Sequence, residues 1–209
     1  RTAGAGGVAA EADRSVAFPA GNPGLASLDG TVTVASIGIP AAATRCTGPG
    51  TLLGLGRDPD SHKGDNGAVL VVGGGPYAGA PTLTARAALR AGADLAHVAC
   101  PAEVADTVQG FSQNLIVHPL SGSTLDSAHT SQLTSLATGV DAVVIGPGLG
   151  DAPATAEAVA PFPAQYDRRV VVHADALPAV PAVATDTPVT RTPHRGALPE
   201  MGRATAAHP

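Results

Sequence analysis

The sequence predicts an α/β fold built on a mainly parallel sheet, on three observations. Strand-length apolar runs alternate with helix-length segments from Ala68 onward. The run Ala68–Gly73 is apolar throughout, as in a strand covered on both faces. Finally, the unusual glycine and polar clusters "GGGPYAGA", "GPGLG", "HADAL" and "TPH" all fall at the ends of such runs. Ligands of open α/β sheets sit beyond the carboxyl ends of the strands. The clusters therefore predict a ligand site as well as a fold.

The elements follow in order. Residues 1–30 are rich in Gly, Ala and Pro, with one apolar patch at Val16–Phe18. "TVTVASIGIP" (Thr31–Pro40) begins β-branched and alternating, so it reads as a strand. Residues 41–62 carry few periodic signals and read as a connection with one short helical turn. "AVLVVG" (Ala68–Gly73) is a buried strand. Pro81–Gly92 is a helix with proline near its first turn and glycine at its stop. Leu95–Cys100 is a strand, Pro101–Gly110 a short helix, Asn114–Leu120 a strand and Ser127–Gly139 a helix. Asp141–Gly150 is a strand running into a second glycine loop, followed by a helix over Ala152–Phe162. Arg169–Leu177 is a strand with a polar end, and Thr187–His194 is the last strand.

Composition narrows the function classes. Of the 209 residues, 44% are hydrophobic but only 2% aromatic, so the core is built from small side chains. Net charge is −5, with 12 scattered Lys and Arg, which argues against nucleic acid as a partner. No apolar run reaches membrane-spanning length, and the amino-terminal residues carry no signal-peptide pattern. A soluble cytoplasmic protein is expected. Cys46 and Cys100 form no metal or redox motif and read as reduced thiols. The seven histidines show no helical i, i+4 pair that would suggest zinc.

The first glycine loop fails two familiar tests. A P-loop requires Lys and Ser/Thr where Ala80 and Pro81 stand. Gly73-Gly74-Gly75-Pro76-Tyr77-Ala78 fits the dinucleotide fingerprint formally, but the acid expected at the end of the next strand is missing; Asp94 precedes that strand, and Glu103 lies inside the following helix. Two readings remain open. The loop is a plain tight turn, or it lets backbone approach a ligand at a helix start, with Ala80 at the entrance.

"HKGDNGAVLVVGGGPYAGAPTLTARAALRAGADLAHVACP", "DAVVIGPGLG", "HADAL" and "TPH", in that order and spacing, resemble the ADP-dependent NAD(P)H-hydrate dehydratases over about residues 60–202. The resemblance implies a ribokinase-like three-layer sandwich, with the C-terminal part of the domain missing from the chain. It implies repair of hydrated NADH or NADPH (NADHX, NADPHX) by a hydro-lyase. A nucleotide co-substrate, ADP (or ATP) with Mg²⁺, would phosphorylate the ring hydroxyl, and phosphate would then leave in place of hydroxide. Phosphoryl transfer asks a protein mainly for positioning and electrostatic stabilisation. By motif, Ala80, Gly148 and His194 would contact the hydrated dinucleotide. The family is typically a homotetramer. Residues 12–40 resemble the end of the NAD(P)H-hydrate epimerase domain, which precedes the dehydratase in many relatives. The expected division is therefore 1–45, epimerase-like tail and linker, and 46–209, the N-terminal portion of the dehydratase-like domain.

The residues depart from the family pattern in places. His173 stands where the first acid of "DADAL" is usual, with Asp175 retained, and Ala197 takes the acidic position after "TPH", with Glu200 too far along to replace it. The family's Lys-Gly segment and its Gly-Thr-Gly-Asp loop, which bears the catalytic aspartate, are expected downstream of residue 209, so no catalytic residue is expected within the chain. His62 and Lys63 have two readings, phosphate contact or a solvated turn. His97, His118 and His129 read as structural or exposed. Two other functions stand beside the dehydratase: a small-molecule kinase of the same superfamily, and a non-catalytic nucleotide-binding module.

Overall fold

The computed structural model describes residues 13–17, 31–44, 48–50, 56–180 and 189–194. They divide between two units, residues 1–56 and 57–209. In the first, β1 (Arg14–Ala17) pairs in parallel with β2 (Thr31–Val34). The strand expected to reach Pro40 stops at Val34. Gly38 has φ +80 and Pro40 lacks an N–H, so neither continues a ladder. A single 3-10 turn lies at Ala41–Thr44. Cys46 is outside the described residues.

The second unit is a six-stranded parallel sheet. Its strands are β3 (Ala68–Val72), β4 (Leu95–Pro101), β5 (Leu115–Leu120), β6 (Ala142–Ile145), β7 (Arg169–His173) and β8 (Val189–Thr192). They lie in the order β5-β4-β3-β6-β7-β8, and every neighbouring pair is parallel. Its helices are α1 (Gly79–Ala91), α2 (Ala102–Gly110), α3 (Thr130–Thr138), α4 (Pro153–Val159) and α5 (Phe162–Gln165). The period of two along β3 explains the layers. Val71 joins Ala85 of α1 and Ala105 and Val108 of α2 on one face. Leu70 and Val72 join Leu133 of α3, Val159 of α4 and Phe162 of α5 on the other. Both faces are covered, which is why β3 reads as an uninterrupted apolar run. Pro119, which offers no N–H to a ladder, sits in β5 at the sheet's edge.

The boundaries differ from expectation for local reasons. The helix expected over 152–162 is two helices, because Pro161 cannot extend the α4 ladder and α5 restarts with Pro163 in its first turn. The helix expected from Ser127 begins as a 3-10 turn, Ser127–His129, set by an Asp126–His129 capping box, before α3 proper. The strand expected through Leu177 ends at His173, where Ala174 takes φ +45 and a 3-10 turn follows. Helix α1 begins at Gly79 rather than Pro81, and it ends as expected on Gly92 in the left-handed conformation.

Candidate substrate cleft at the carboxyl edge

The chain path creates the site. From β3 the chain steps outward to β4 and β5, then crosses back to lay β6 on the other side of β3. The connections after β3 and β6 therefore leave the sheet in opposite directions and open a crevice between them. Both connections are glycine loops.

The two loops pack backbone on backbone. Gly74 N–H donates to Pro147 O at 2.9 Å, and Gly146 N–H donates to Val72 O at 3.1 Å. A Cβ on Gly148, which has φ +70, would meet the Tyr77 carbonyl and come within 3.3 Å of the Ala80 Cβ. Ala80 and Gly148, expected to act together, are thus brought together. A Cβ on Gly146 would run into the His173 carbonyl. The loop after β6 therefore lies directly on the turn after β7. Asp175 in that turn accepts the Gly150 N–H at 2.8 Å. The carboxylate retained in "HADAL" holds the "GPGLG" loop, a role its sequence position alone did not reveal. His173 shares a 2.7 Å hydrogen bond with Thr192, its register partner on β8.

His194 stands two residues beyond β8 and is exposed. β8 is two strands from β6, about 10 Å across the sheet. His194 shares the carboxyl edge with Ala80 and Gly148 but lies on the β8 side of them. Ala197 and Glu200 fall outside the described residues.

On the opposite side of the glycine loops lies a cleft of about 340 Å³. Gly75, Pro76, Leu149 and Gly150 form one wall, and Glu103, Ser123 and Thr124 another. Glu103 enters at the second residue of α2, so the residue set aside for lying in a helix faces the candidate site. Ser123 and Thr124 belong to the loop after β5. His129, buried, anchors that loop: its Nδ1 accepts the Asp126 N–H at 3.1 Å while its Nε2 lies 2.9 Å from Ser121 O. The Asp126 carboxylate also lies 3.1 Å from that Nδ1. Cys100 closes the site from below, against Gly74; it is buried and free, and burial pushes its thiol up to about 11. It is a packed thiol rather than a nucleophile.

His62 and Lys63 are placed elsewhere. Their turn precedes β3, so it lies at the amino edge, a strand length of about 16 Å from the glycine loops. The turn is tied to Asp94, whose carboxylate accepts the Asn66 and Gly64 N–H groups and pairs with Arg57. The Asn66 N–H is the main influence holding that carboxyl below its ordinary range. The "HKGDNG" turn is thus a structural clasp in this chain. Among the described residues no group of three or more His, Cys, Asp or Glu is placed to hold a metal ion. No described helix is long and apolar enough to cross a membrane.

The sequence of residues 68–207 matches the family model of the NAD(P)H-hydrate dehydratases. The chain belongs to this dehydratase family. It is 42% identical over 192 residues to the bifunctional NAD(P)H-hydrate repair enzyme Nnr of Pyrobaculum aerophilum, and 39% identical over 199 residues to that of Archaeoglobus fulgidus. These alignments cover 90% and 93% of this chain but 38% and 42% of the two relatives, so the chain spans about two fifths of their length. The dehydratase fold is found again in solved structures. The ADP/ATP-dependent NAD(P)H-hydrate dehydratase of Bacillus subtilis superposes with a TM-score of 0.55 at 24% identity, over 70% of this chain and 50% of that one. A hypothetical protein of Streptococcus mutans, SMU.573, gives 0.61 at 22% identity, over 70% and 52%. A ribokinase-like protein of Enterococcus faecalis gives 0.59 at 22%, over 71% and 52%. These superpositions show the expected α/β fold, a parallel sheet flanked by helices.

Proposed function

We propose that the second unit binds hydrated NADH or NADPH at the carboxyl edge and serves its dehydration at the expense of ADP. One observation carries this reading: the two mutually packed glycine loops at the switch point lie within the segment matched by the dehydratase family. In the net reaction, the hydrate and ADP yield reduced dinucleotide, AMP and phosphate. The ring C–O bond breaks with phosphate as leaving group, a far better one than hydroxide. Ala80 and Gly148 would present backbone to the dinucleotide at the helix α1 entrance, and His194 would offer a ring nitrogen from the β8 side. The described carboxylates form no three-membered metal cluster. Mg²⁺ would be held largely by nucleotide phosphates, as that ion commonly is.

The match to proteins named bifunctional over 90% of this chain supports a further reading. The first unit would be the end of an epimerase-like domain preceding the dehydratase-like one. A homo-oligomer and a cytoplasmic location accompany the same reading.

The test is direct. The purified chain is titrated with hydrated NADH, then incubated with hydrate and ADP while reduced nicotinamide and AMP are measured. Saturable binding that weakens at least tenfold in His194→Ala or Gly148→Val supports the reading. Absence of binding, or phosphorylation of a small alcohol in place of hydrate repair, sinks it; the second result would favour the superfamily's kinases.

A further inference from the structure

We propose that the cleft between Glu103, Ser123, Thr124 and Gly150 takes a ribose-bearing half of the dinucleotide, and that Glu103 makes the site prefer the hydrate lacking a 2′-phosphate. This rests on the dinucleotide reading above and adds a subsite and a specificity to it.

At about 340 Å³ the cleft is at the small end of small-molecule sites, about 300–1,000 Å³. It has room for one nucleoside-sized half, not for a whole dinucleotide. It opens on the outer side of the same loops that join Ala80 to Gly148, while His194 lies on the other side of them. A ligand of two halves joined by a pyrophosphate would straddle the loops, one half toward His194 and the other in this cleft.

The cleft's polar side chains are two hydroxyls, Ser123 and Thr124, and two carboxylates, Glu103 and Asp151. No Lys, Arg or His is among the described residues lining it. A sugar diol donates to carboxylate and exchanges hydrogen bonds with hydroxyls. A 2′-phosphate would bring negative charge against Glu103 and Asp151, with no cation among the described lining residues to answer it. An acid beside a ribose admits NAD and turns away NADP by this physics in dinucleotide folds generally, although here the acid arrives from a helix start rather than a strand end.

The hydroxyl wall is not a loose loop: the buried His129 ring bridges Asp126 N–H and Ser121 O across it. Thr155 of α4 donates to Leu125 O at 2.8 Å from the other side. Ser123 and Thr124 are therefore presented from a braced segment, which lowers the ordering cost of binding.

The experiment measures dissociation constants of the purified chain for NADH hydrate and NADPH hydrate, in the wild type, Glu103→Gln and Thr124→Val. The wild type is expected to favour NADH hydrate by about tenfold at low salt, with the gap narrowing as salt is added. Glu103→Gln should tighten NADPH hydrate and bring the ratio toward one. Thr124→Val should weaken both ligands severalfold and leave the ratio alone. Equal wild-type affinities, a preference for NADPH hydrate, or an unchanged ratio in Glu103→Gln would each overturn the subsite while leaving dinucleotide binding intact. Binding of neither hydrate would instead remove the functional reading on which it rests.

Discussion

Gly146 shows how one missing side chain joins three loops. With φ +124, and with the His173 carbonyl where a Cβ would sit, it admits no other residue without moving β7. Gly146→Ala is expected to lower unfolding free energy by more than about 3 kcal/mol, from backbone strain plus a backbone clash. Gly79 at the start of α1 has open space around its Cβ position. Gly79→Ala should therefore be neutral or stabilise by up to about 1 kcal/mol. Urea unfolding of the two variants checks both, and similar midpoints would refute the distinction. Both residues belong to glycine clusters visible in the sequence. Which glycine is irreplaceable was not visible there, because the obstructing atom belongs to a carbonyl 27 residues further along the chain. Asp175 is similar. Its retention in the motif was legible, but the amide it accepts, 25 residues back, was not.

Elements β4 and β5 carry a pair of histidines that the sequence separates by 21 residues. His97 Nδ1 and His118 Nε2 lie 2.9 Å apart on the face shared with Ala99 and Leu120. Burial holds both rings below the ordinary imidazole value of 6.5; for His97, the His118 and Lys63 charges add to it. The folded state then binds fewer protons than the unfolded chain as pH falls below 6.5. Stability from this pair is fully present above pH 6.5, declines below it, and levels off once the folded rings protonate. Urea midpoints measured from pH 8 to 5 should fall, and His118→Gln should flatten the fall; a wild-type midpoint independent of pH would contradict this. The loop after β5 offers a second test. His129→Ala removes a ring bonded on both nitrogens in a buried place and should cost about 1–3 kcal/mol. Amide exchange should quicken first in residues 121–126. The strands and helices themselves were legible from apolar runs and from Pro and Gly punctuation. Their ends were less so. Pro161, the Asp126–His129 box and the turn at Ala174 decide them through hydrogen bonds that periodicity does not encode.

At the scale of the molecule, the second unit has its own sheet and two hydrophobic layers, both formed from residues after Gly56. Residues 57–209 alone are expected to unfold cooperatively, with a midpoint within a few degrees of the full chain's. A broad, non-cooperative melt would show that the first 56 residues are needed. The fold class, the order of strands and helices, the surplus of small side chains and the family were all determined by the sequence alone, because local periodicity and short motifs carry them. Ala80 and Gly148 were singled out by the family motifs, and the packing of the two loops sets them side by side. The tertiary structure alone decided the rest. It set β6 beside β3 and so opened the crevice. It moved His62 and Lys63 to the far edge, and it brought Glu103, Ser123 and Thr124 to one wall. Those outcomes depend on strand order and on hydrogen bonds between residues tens of positions apart. No window of the sequence contains both ends of such a contact.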